Sequence, residues 1–83
     1  MFIMIEKYIK FPRIRHMRED RDIKQQDVAK YLGCTQSAYA HYELGNREIP
    51  MDIVIKLARF YNTSIDYLLG LTNCIKPYDR IWQ

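Results

Sequence analysis

The residues best suited to chemistry lie in one short stretch, residues 35–44, where amide, hydroxyl, imidazole and methyl groups follow one another. A glutamine such as Gln36 can form two hydrogen bonds with the edge of an adenine, and His41 can donate one to guanine. Ser37 can reach a base or a phosphate, and the methyl group of Ala40 can contact a thymine methyl. Each residue taken alone is better explained as an ordinary helical surface residue. Their joint arrangement favours contacts to DNA bases.

No catalytic or metal site is expected elsewhere. The two cysteines, Cys34 and Cys74, lack the spacing of metal ligands and are expected as buried free thiols. The two histidines, His16 and His41, fall on different predicted helices, and no glycine-rich phosphate loop is present. We therefore expect no enzymatic activity, no metal and no cofactor.

The composition is that of one small globular protein. The 83 residues, of which 48% are hydrophobic, suffice for a single domain spanning residues 1–83. The longest apolar run, Met1 to Ile5, is too short for a signal-peptide core or for a membrane span of about 20 residues, which predicts a soluble cytoplasmic protein. The net charge is +3, and residues 7–30 carry eight Lys or Arg against four acids. That excess suits a polyanion such as nucleic acid, and it is equally typical of a solvated helix face.

Apolar spacing and helix-ending residues predict an all-α fold with five helices and no strand. The expected helices run from Pro12 to about Asp22, Gln25 to Leu32, Thr35 to about Leu44, Pro50 to Tyr61, and Ile65 to Leu69. Glycines follow three of them and suit left-handed helix ends. The helical domain is thus residues 12–70, flanked by an N-terminal extension, 1–11, and a C-terminal tail, 71–83.

The second and third predicted helices form a helix-turn-helix, because only three residues, Gly33, Cys34 and the capping residue Thr35, connect them. Tyr39 and Tyr42 are expected to place their rings in the core and their hydroxyl groups at its rim. With about 100° of rotation per residue, the opposite face is then exposed and can enter a major groove about 12 Å wide. The residues of that outward face are Ser37, Ala40, His41 and Leu44, with Gln36 at its side.

Six residues flank this face and are expected to contact DNA phosphates: Arg13, Lys24, Gln25, Tyr42, Asn46 and Arg47. Lys24 occupies the capping position of the second helix, where a side-chain acceptor is usual. A DNA phosphate could supply the missing anion at this helix start. An exposed lysine tolerated beside the helix dipole is equally consistent with the sequence.

Residues Arg13 to Gly70 resemble the Cro and phage-repressor (XRE-type) helix-turn-helix family. The resemblance is carried by the segments RIRHMREDRDIKQQDVAKYLG, CTQSAYAHYELGNREIP and IKLARFYNTSIDYLLG. It implies a compact five-helix domain that binds double-stranded DNA at an operator, usually as a dimer, and represses or activates transcription. It also implies that Gln25 contacts a phosphate and braces Gln36, and that Arg18 pairs with Glu43. Lys24 departs from the family, which commonly has Thr or Ser there.

The two ends of the chain carry many apolar residues. Residues 1–11 include Phe2, Ile5 and Phe11, and the tail includes Ile75, Tyr78, Ile81 and Trp82. These segments are expected to pack on the core or on a second copy of the chain, giving a homodimer. The alternative function is a protein-interaction module, such as the antitoxin of a toxin-antitoxin pair or an adaptor, whose apolar ends bind a protein partner such as a toxin or an antirepressor.

Overall fold

The computed structural model describes residues 9–79, and within that range the chain forms five α-helices and no strand. The helices are α1 (Pro12–Asp20), α2 (Gln25–Leu32), α3 (Gln36–Leu44), α4 (Met51–Phe60) and α5 (Ile65–Leu68). The predicted five-helix, all-α fold is confirmed, with helix ends shifted by one or two residues. None of these helices is long and apolar enough to cross a membrane.

Local side chains explain where the helices begin and end. The Thr35 hydroxyl accepts a hydrogen bond from the backbone N–H of Ala38 at 3.1 Å, which caps α3. Ser64 caps α5 in the same way, accepting from the N–H of Tyr67 at 2.9 Å. At the end of α2, Gly33 adopts a φ of 78°, a left-handed conformation that favours glycine. The predicted caps and terminators are therefore those of the structure.

The core gathers apolar side chains from all five helices. Its members include Ile14, Val28, Tyr39, Leu57 and Leu68, all fully buried. Each leucine buried in this way stabilises the fold by roughly 1.5–3 kcal/mol relative to its exposed state. Because α2 and α3 both contribute, the core fixes the orientation of α3 relative to the rest of the domain.

The hydroxyl group of Tyr39 does not lie at the rim of the core, contrary to the prediction. It is buried without a hydrogen bond of acceptable geometry within the described residues, as is that of Tyr61. Burial raises the pKa of Tyr39 well above its usual value, and the neighbouring Glu43 carboxylate acts in the same direction. Burial likewise raises the pKa of Tyr61, to about 12. Both phenols therefore remain neutral at physiological pH.

Of the two predicted positions of the C-terminal tail, on the core or on a second copy of the chain, packing on the core does not occur for two apolar residues. Ile75 and Tyr78 are 46% and 64% exposed. Polar contacts attach the tail instead, since Thr63 donates to the carbonyl oxygen of Ile75 and the Tyr78 hydroxyl donates to Asp66 at 2.6 Å. The tail is thus held against α5 while its apolar side chains face outward.

Three further predictions about the ends and the cysteines have different outcomes. Phe11 is half-buried against the core, as expected for the N-terminal extension, whereas residues 1–8, Ile81 and Trp82 lie outside the described residues. Both cysteines are free thiols. Cys34 is half-buried, but Cys74 is exposed because it lies in the tail, so its predicted burial is wrong.

Candidate nucleic-acid interface

The helix α3 presents two contrasting faces. Tyr39 and Glu43, one turn apart, are buried. On the other side Gln36 and Ser37 are exposed, Ala40 and His41 are half-buried, and Leu44 is exposed. The structure therefore brings the four predicted base-contacting residues together on the side of α3 that the core does not use. Apart from Leu44, the groups on this face are polar or small, which lets a helix approach the floor of a groove closely.

The turn between α2 and α3 sets the direction of this face. After Gly33 the backbone N–H of Cys34 donates to the carbonyl oxygen of Ala29 at 3.0 Å, which closes the end of α2. Thr35 then adopts an extended conformation and starts α3 at once. The three-residue turn therefore leaves little freedom for α3 to swing relative to α2.

An ion pair locks the far end of α3 to α1. The Nε of Arg18 donates to Oε2 of Glu43 at 2.6 Å, and Nη2 of Arg18 donates to Oε1 at 3.1 Å. The third guanidinium nitrogen donates to the carbonyl oxygen of Ile23 at 2.8 Å. The structure thus places Arg18 and Glu43 in the pair that the family resemblance implied. A two-point pair of this kind fixes geometry as well as charge.

The environment of Glu43 keeps its carboxylate ionised. Burial raises its pKa, but the hydrogen bond from Arg18, the neighbouring Tyr39 hydroxyl and the hydrogen bond from Gln25 outweigh burial and hold the pKa below its usual value. The same contact, above all its hydrogen bond to Glu43, raises the pKa of Arg18. The pair is therefore charged on both sides at neutral pH.

Gln25 has a different partner from the one expected. Its Nε2 donates to Oε1 of Glu43 at 3.0 Å, so the side chain braces the ion pair instead of Gln36. Its backbone N–H belongs to the first turn of α2, where helical N–H groups have no partner inside the helix. Lys24, which precedes it, is exposed and provides no side-chain cap. The start of α2 therefore offers N–H donors and a cation to an approaching anion.

Arg13 is committed to a contact within the chain. Its Nη1 donates to the carbonyl oxygens of Tyr67, at 2.9 Å, and of Thr72, and its Nη2 donates to Oδ1 of Asn73 at 2.7 Å. The guanidinium also lies over the Tyr67 ring, 4.1 Å from its centroid. The predicted phosphate contact of Arg13 conflicts with this arrangement, because its donors already hold the start of the tail. Nothing in the sequence marks Asn73 as a partner of Arg13.

The remaining candidates lie around the C-terminal end of α3. Tyr42 is half-buried and, with Arg47, lines a cavity of about 280 Å³ between this end of α3 and α4. Arg47 and Asn46 are exposed in the loop that follows. Asn46 reaches back to His41, with 3.4 Å between its Nδ2 and the Nδ1 of the ring. Sequence reasoning missed this side-chain contact; the glycine before Asn46 indicates only the backbone turn that brings Asn46 back toward His41.

These features, a core-anchored α3, a short turn and an exposed polar face, are those of a helix-turn-helix. A helix-turn-helix family model matches residues 14–68. The chain belongs to this family. The predicted phage-repressor type is confirmed by its relatives, among them the cryptic phage CTXphi transcriptional repressor RstR of Vibrio cholerae. RstR is 37% identical over 58 residues, covering 70% of this chain and 52% of the relative.

Two further similarities, one in sequence and one in structure, support the same family. The uncharacterized HTH-type transcriptional regulator YobD of Bacillus subtilis (strain 168) is 36% identical over 65 residues, which are 78% of this chain and 58% of YobD. The P22 c2 repressor, solved in complex with synthetic operator 9T, superposes with a TM-score of 0.69 at 26% identity, covering 80% of this chain and all of the repressor chain. The chain spans about half the length of the curated relatives it matches.

Proposed function

We propose that this chain is a sequence-specific DNA-binding transcriptional regulator that inserts α3 into the major groove of an operator. The observation that carries the proposal is the contrast between the two sides of α3. Tyr39 and Glu43 are buried on one side, whereas the other side carries polar and small groups apart from Leu44. A structural relative, the P22 c2 repressor, was solved with an operator, which supports the same use of the fold here. The proposal assigns the chain no enzymatic role and a cytoplasmic location.

The proposed interface divides into base contacts and phosphate contacts. Gln36, Ser37, Ala40 and His41 face the bases. Around them Lys24, Tyr42, Arg47 and the backbone N–H of Gln25 face phosphates, which set the register without reading sequence. The start of α2 has no side-chain cap, and a phosphate there would satisfy its N–H groups and lie beside the Lys24 ammonium. Arg13 is left out of this set because its donors hold the tail.

The proposed assembly on DNA is a homodimer formed through the apolar ends of the chain. Leu71, Ile75 and Tyr78 are exposed on a tail that polar contacts hold in place, so they form a positioned apolar surface. Contiguous exposed apolar patches mark interaction surfaces, and we propose that these three side chains form one. The domain of residues 12–70 would then bind one half-site and its partner the other. With few long side chains on α3, DNA shape and half-site spacing contribute to specificity.

Selection of bound sequences from a random pool of double-stranded DNA tests the proposal. We expect two half-sites related by a two-fold axis, with centres about one helical turn apart, roughly 34–36 Å. A charge-matched pair of variants serves as control. Arg47→Ala should weaken binding to every sequence, whereas Lys56→Ala, which removes an exposed cation from α4, should not. Absence of any enriched sequence would contradict the proposal and favour a protein-interaction module.

A further inference from the structure

The end of α3 folds Asn46 back onto His41. Gly45, with a φ of 81°, turns the chain so that the backbone N–H of Asn46 donates to the carbonyl oxygen of His41 at 3.1 Å. This is the bond expected from the second residue after a helix that ends in a left-handed glycine. The side chain of the same asparagine then reaches the imidazole, with 3.4 Å between Nδ2 and the Nδ1 of His41. The backbone bond therefore holds the amide at the ring.

We infer that Asn46 fixes the ring proton of His41 on Nε2 and thereby makes His41 a hydrogen-bond donor toward the bases. The Nδ2 of asparagine only donates, so the Nδ1 that faces it must present its lone pair. A neutral imidazole carries one proton, which then lies on Nε2. The two ring nitrogens point in nearly opposite directions, so Nε2 is directed away from Asn46.

The consequence for recognition rests on the proposed function, in which α3 lies in the major groove. A donor at Nε2 complements the major-groove acceptors, which are N7 and O6 on guanine, N7 on adenine and O4 on thymine. It does not complement the N4 amino group of cytosine, which is itself a donor, so it discriminates guanine from cytosine. Asn46 is then a positioning residue that influences base preference without touching a base. Its role differs from the phosphate contact that the sequence predicted, in which its amide would bind DNA directly.

The tautomer can be measured in the free protein, without DNA. Nitrogen NMR of the 15N-histidine-labelled chain at about pH 8.5, above the usual titration range of imidazole, reports which ring nitrogen carries the proton. His16 is an internal reference, because it is exposed on α1 and has no hydrogen-bond partner among the described residues. We expect a larger Nε2–H fraction for His41 than for His16.

Two substitutions sharpen this measurement. Asn46→Ala should bring the ratio of the two tautomers of His41 close to that of His16. Asn46→Asp has the same shape but a carboxylate that only accepts, so it should move a proton onto Nδ1. A wild-type His41 that already carries its proton on Nδ1, or that matches His16, would overturn the inference.

A double-mutant cycle on the selected operator tests the effect on base reading. Asn46→Asp, which draws the ring proton to Nδ1, should lower the preference for guanine over cytosine at one position of each half-site by about three- to tenfold, the size of one hydrogen bond. Asn46→Ala should lower it by only about twofold, because the free ring still adopts the Nε2–H form. In a His41→Ala background neither substitution should change that preference further, because both act only through the ring. If Asn46 instead bound a phosphate, Asn46→Ala would weaken all sequences alike and reduce the salt slope by about 1, which would overturn the inference.

Failure of the proposed function and failure of the inference give different results. A wild-type chain that binds no operator contradicts the proposed function, and the NMR measurement then decides the tautomer alone. A wild-type chain that binds its operator, with a preference for guanine over cytosine that Asn46→Asp leaves intact, contradicts the inference and leaves the proposed function standing.

Discussion

Replacing Glu43 by alanine is expected to destabilise the domain by about 3–5 kcal/mol, the usual cost of breaking a buried pair. The Glu43 side chain is 2% exposed and that of Arg18 is 13% exposed. Truncation removes the acceptor of the 2.6 Å and 3.1 Å bonds from Arg18 and of the 3.0 Å bond from Gln25. It leaves a mostly buried guanidinium without its counter-ion. A domain of this size has a total stability of roughly 4–12 kcal/mol, so the loss is a large fraction of the whole.

A second Arg–Glu pair in the same chain provides the matched control. The Nε of Arg15 and the Oε2 of Glu19 are 2.9 Å apart, but the two side chains are 47% and 46% exposed. Glu19→Ala should therefore cost no more than about 0.5 kcal/mol, the usual value for an exposed pair one helical turn apart. The double variant Arg18→Met with Glu43→Leu removes both charges, so it should be less destabilised than Glu43→Ala alone.

Urea unfolding followed by far-UV circular dichroism measures all of these free energies on one scale. The comparison uses the urea concentration at the midpoint and the slope of the unfolding free energy against urea concentration. An unchanged slope shows that only stability has changed. If Glu43→Ala lowered the free energy of unfolding no more than Glu19→Ala does, burial of the Arg18–Glu43 pair would not make its loss costly. If the double variant were less stable than Glu43→Ala, the unpaired charge would not be the cause of the loss.

Three further predictions concern pH, a buried hydroxyl and DNA binding. The pKa of Glu43 in the folded state lies below its usual value near 4.5. The stability that the carboxylate contributes is therefore fully present above about pH 4.5 and is lost as pH falls through the folded-state pKa. Urea unfolding at falling pH should show a smaller loss of unfolding free energy in Glu43→Gln than in wild type. The Tyr39 hydroxyl has no hydrogen bond of normal geometry among the described residues but lies beside the Glu43 carboxylate, so Tyr39→Phe should change the free energy of unfolding by less than about 1 kcal/mol; a larger loss would mean that the hydroxyl donates a full hydrogen bond. Arg47→Ala should reduce the salt slope of DNA binding by about 1, and Lys56→Ala, measured alongside, should leave it unchanged.

The helices could be predicted because their determinants are local. A cap such as Thr35 acts on an N–H three residues away, and Gly33 and Gly45 end helices through their own backbone conformation. The outward face of α3 followed from the same local rule, since helical rotation places Ser37 and His41 opposite Tyr39, with Gln36 at the side, once that ring is in the core. Periodicity and end signals therefore sufficed for the fold and for the face proposed to read bases.

The polar contacts between distant segments could not be predicted in the same way. Arg13 can serve a phosphate or a carbonyl equally well, and only the three-dimensional path of the chain brings Thr72 and Asn73 within its reach. The same holds for Gln25, whose amide finds Glu43 across 18 positions of sequence. Apolar content alone also left open whether Ile75 and Tyr78 pack on the core or on a second copy of the chain, and the fold shows that polar anchors hold the tail while these side chains stay exposed. Residue type specifies what a group can bind, whereas the fold decides which partner is present.

The central claim, that the outer face of α3 reads bases, is tested most directly by the specificity ratio of the Gln36→Ala protein. This ratio compares affinity for the selected operator with affinity for unrelated DNA at one salt concentration. The account predicts that the substitution weakens binding to the operator by about 1–3 kcal/mol and leaves binding to unrelated DNA unchanged, so the ratio falls accordingly. The base preference should be relaxed at one base pair of each half-site. An unchanged ratio, with the wild-type base preference intact, would contradict it.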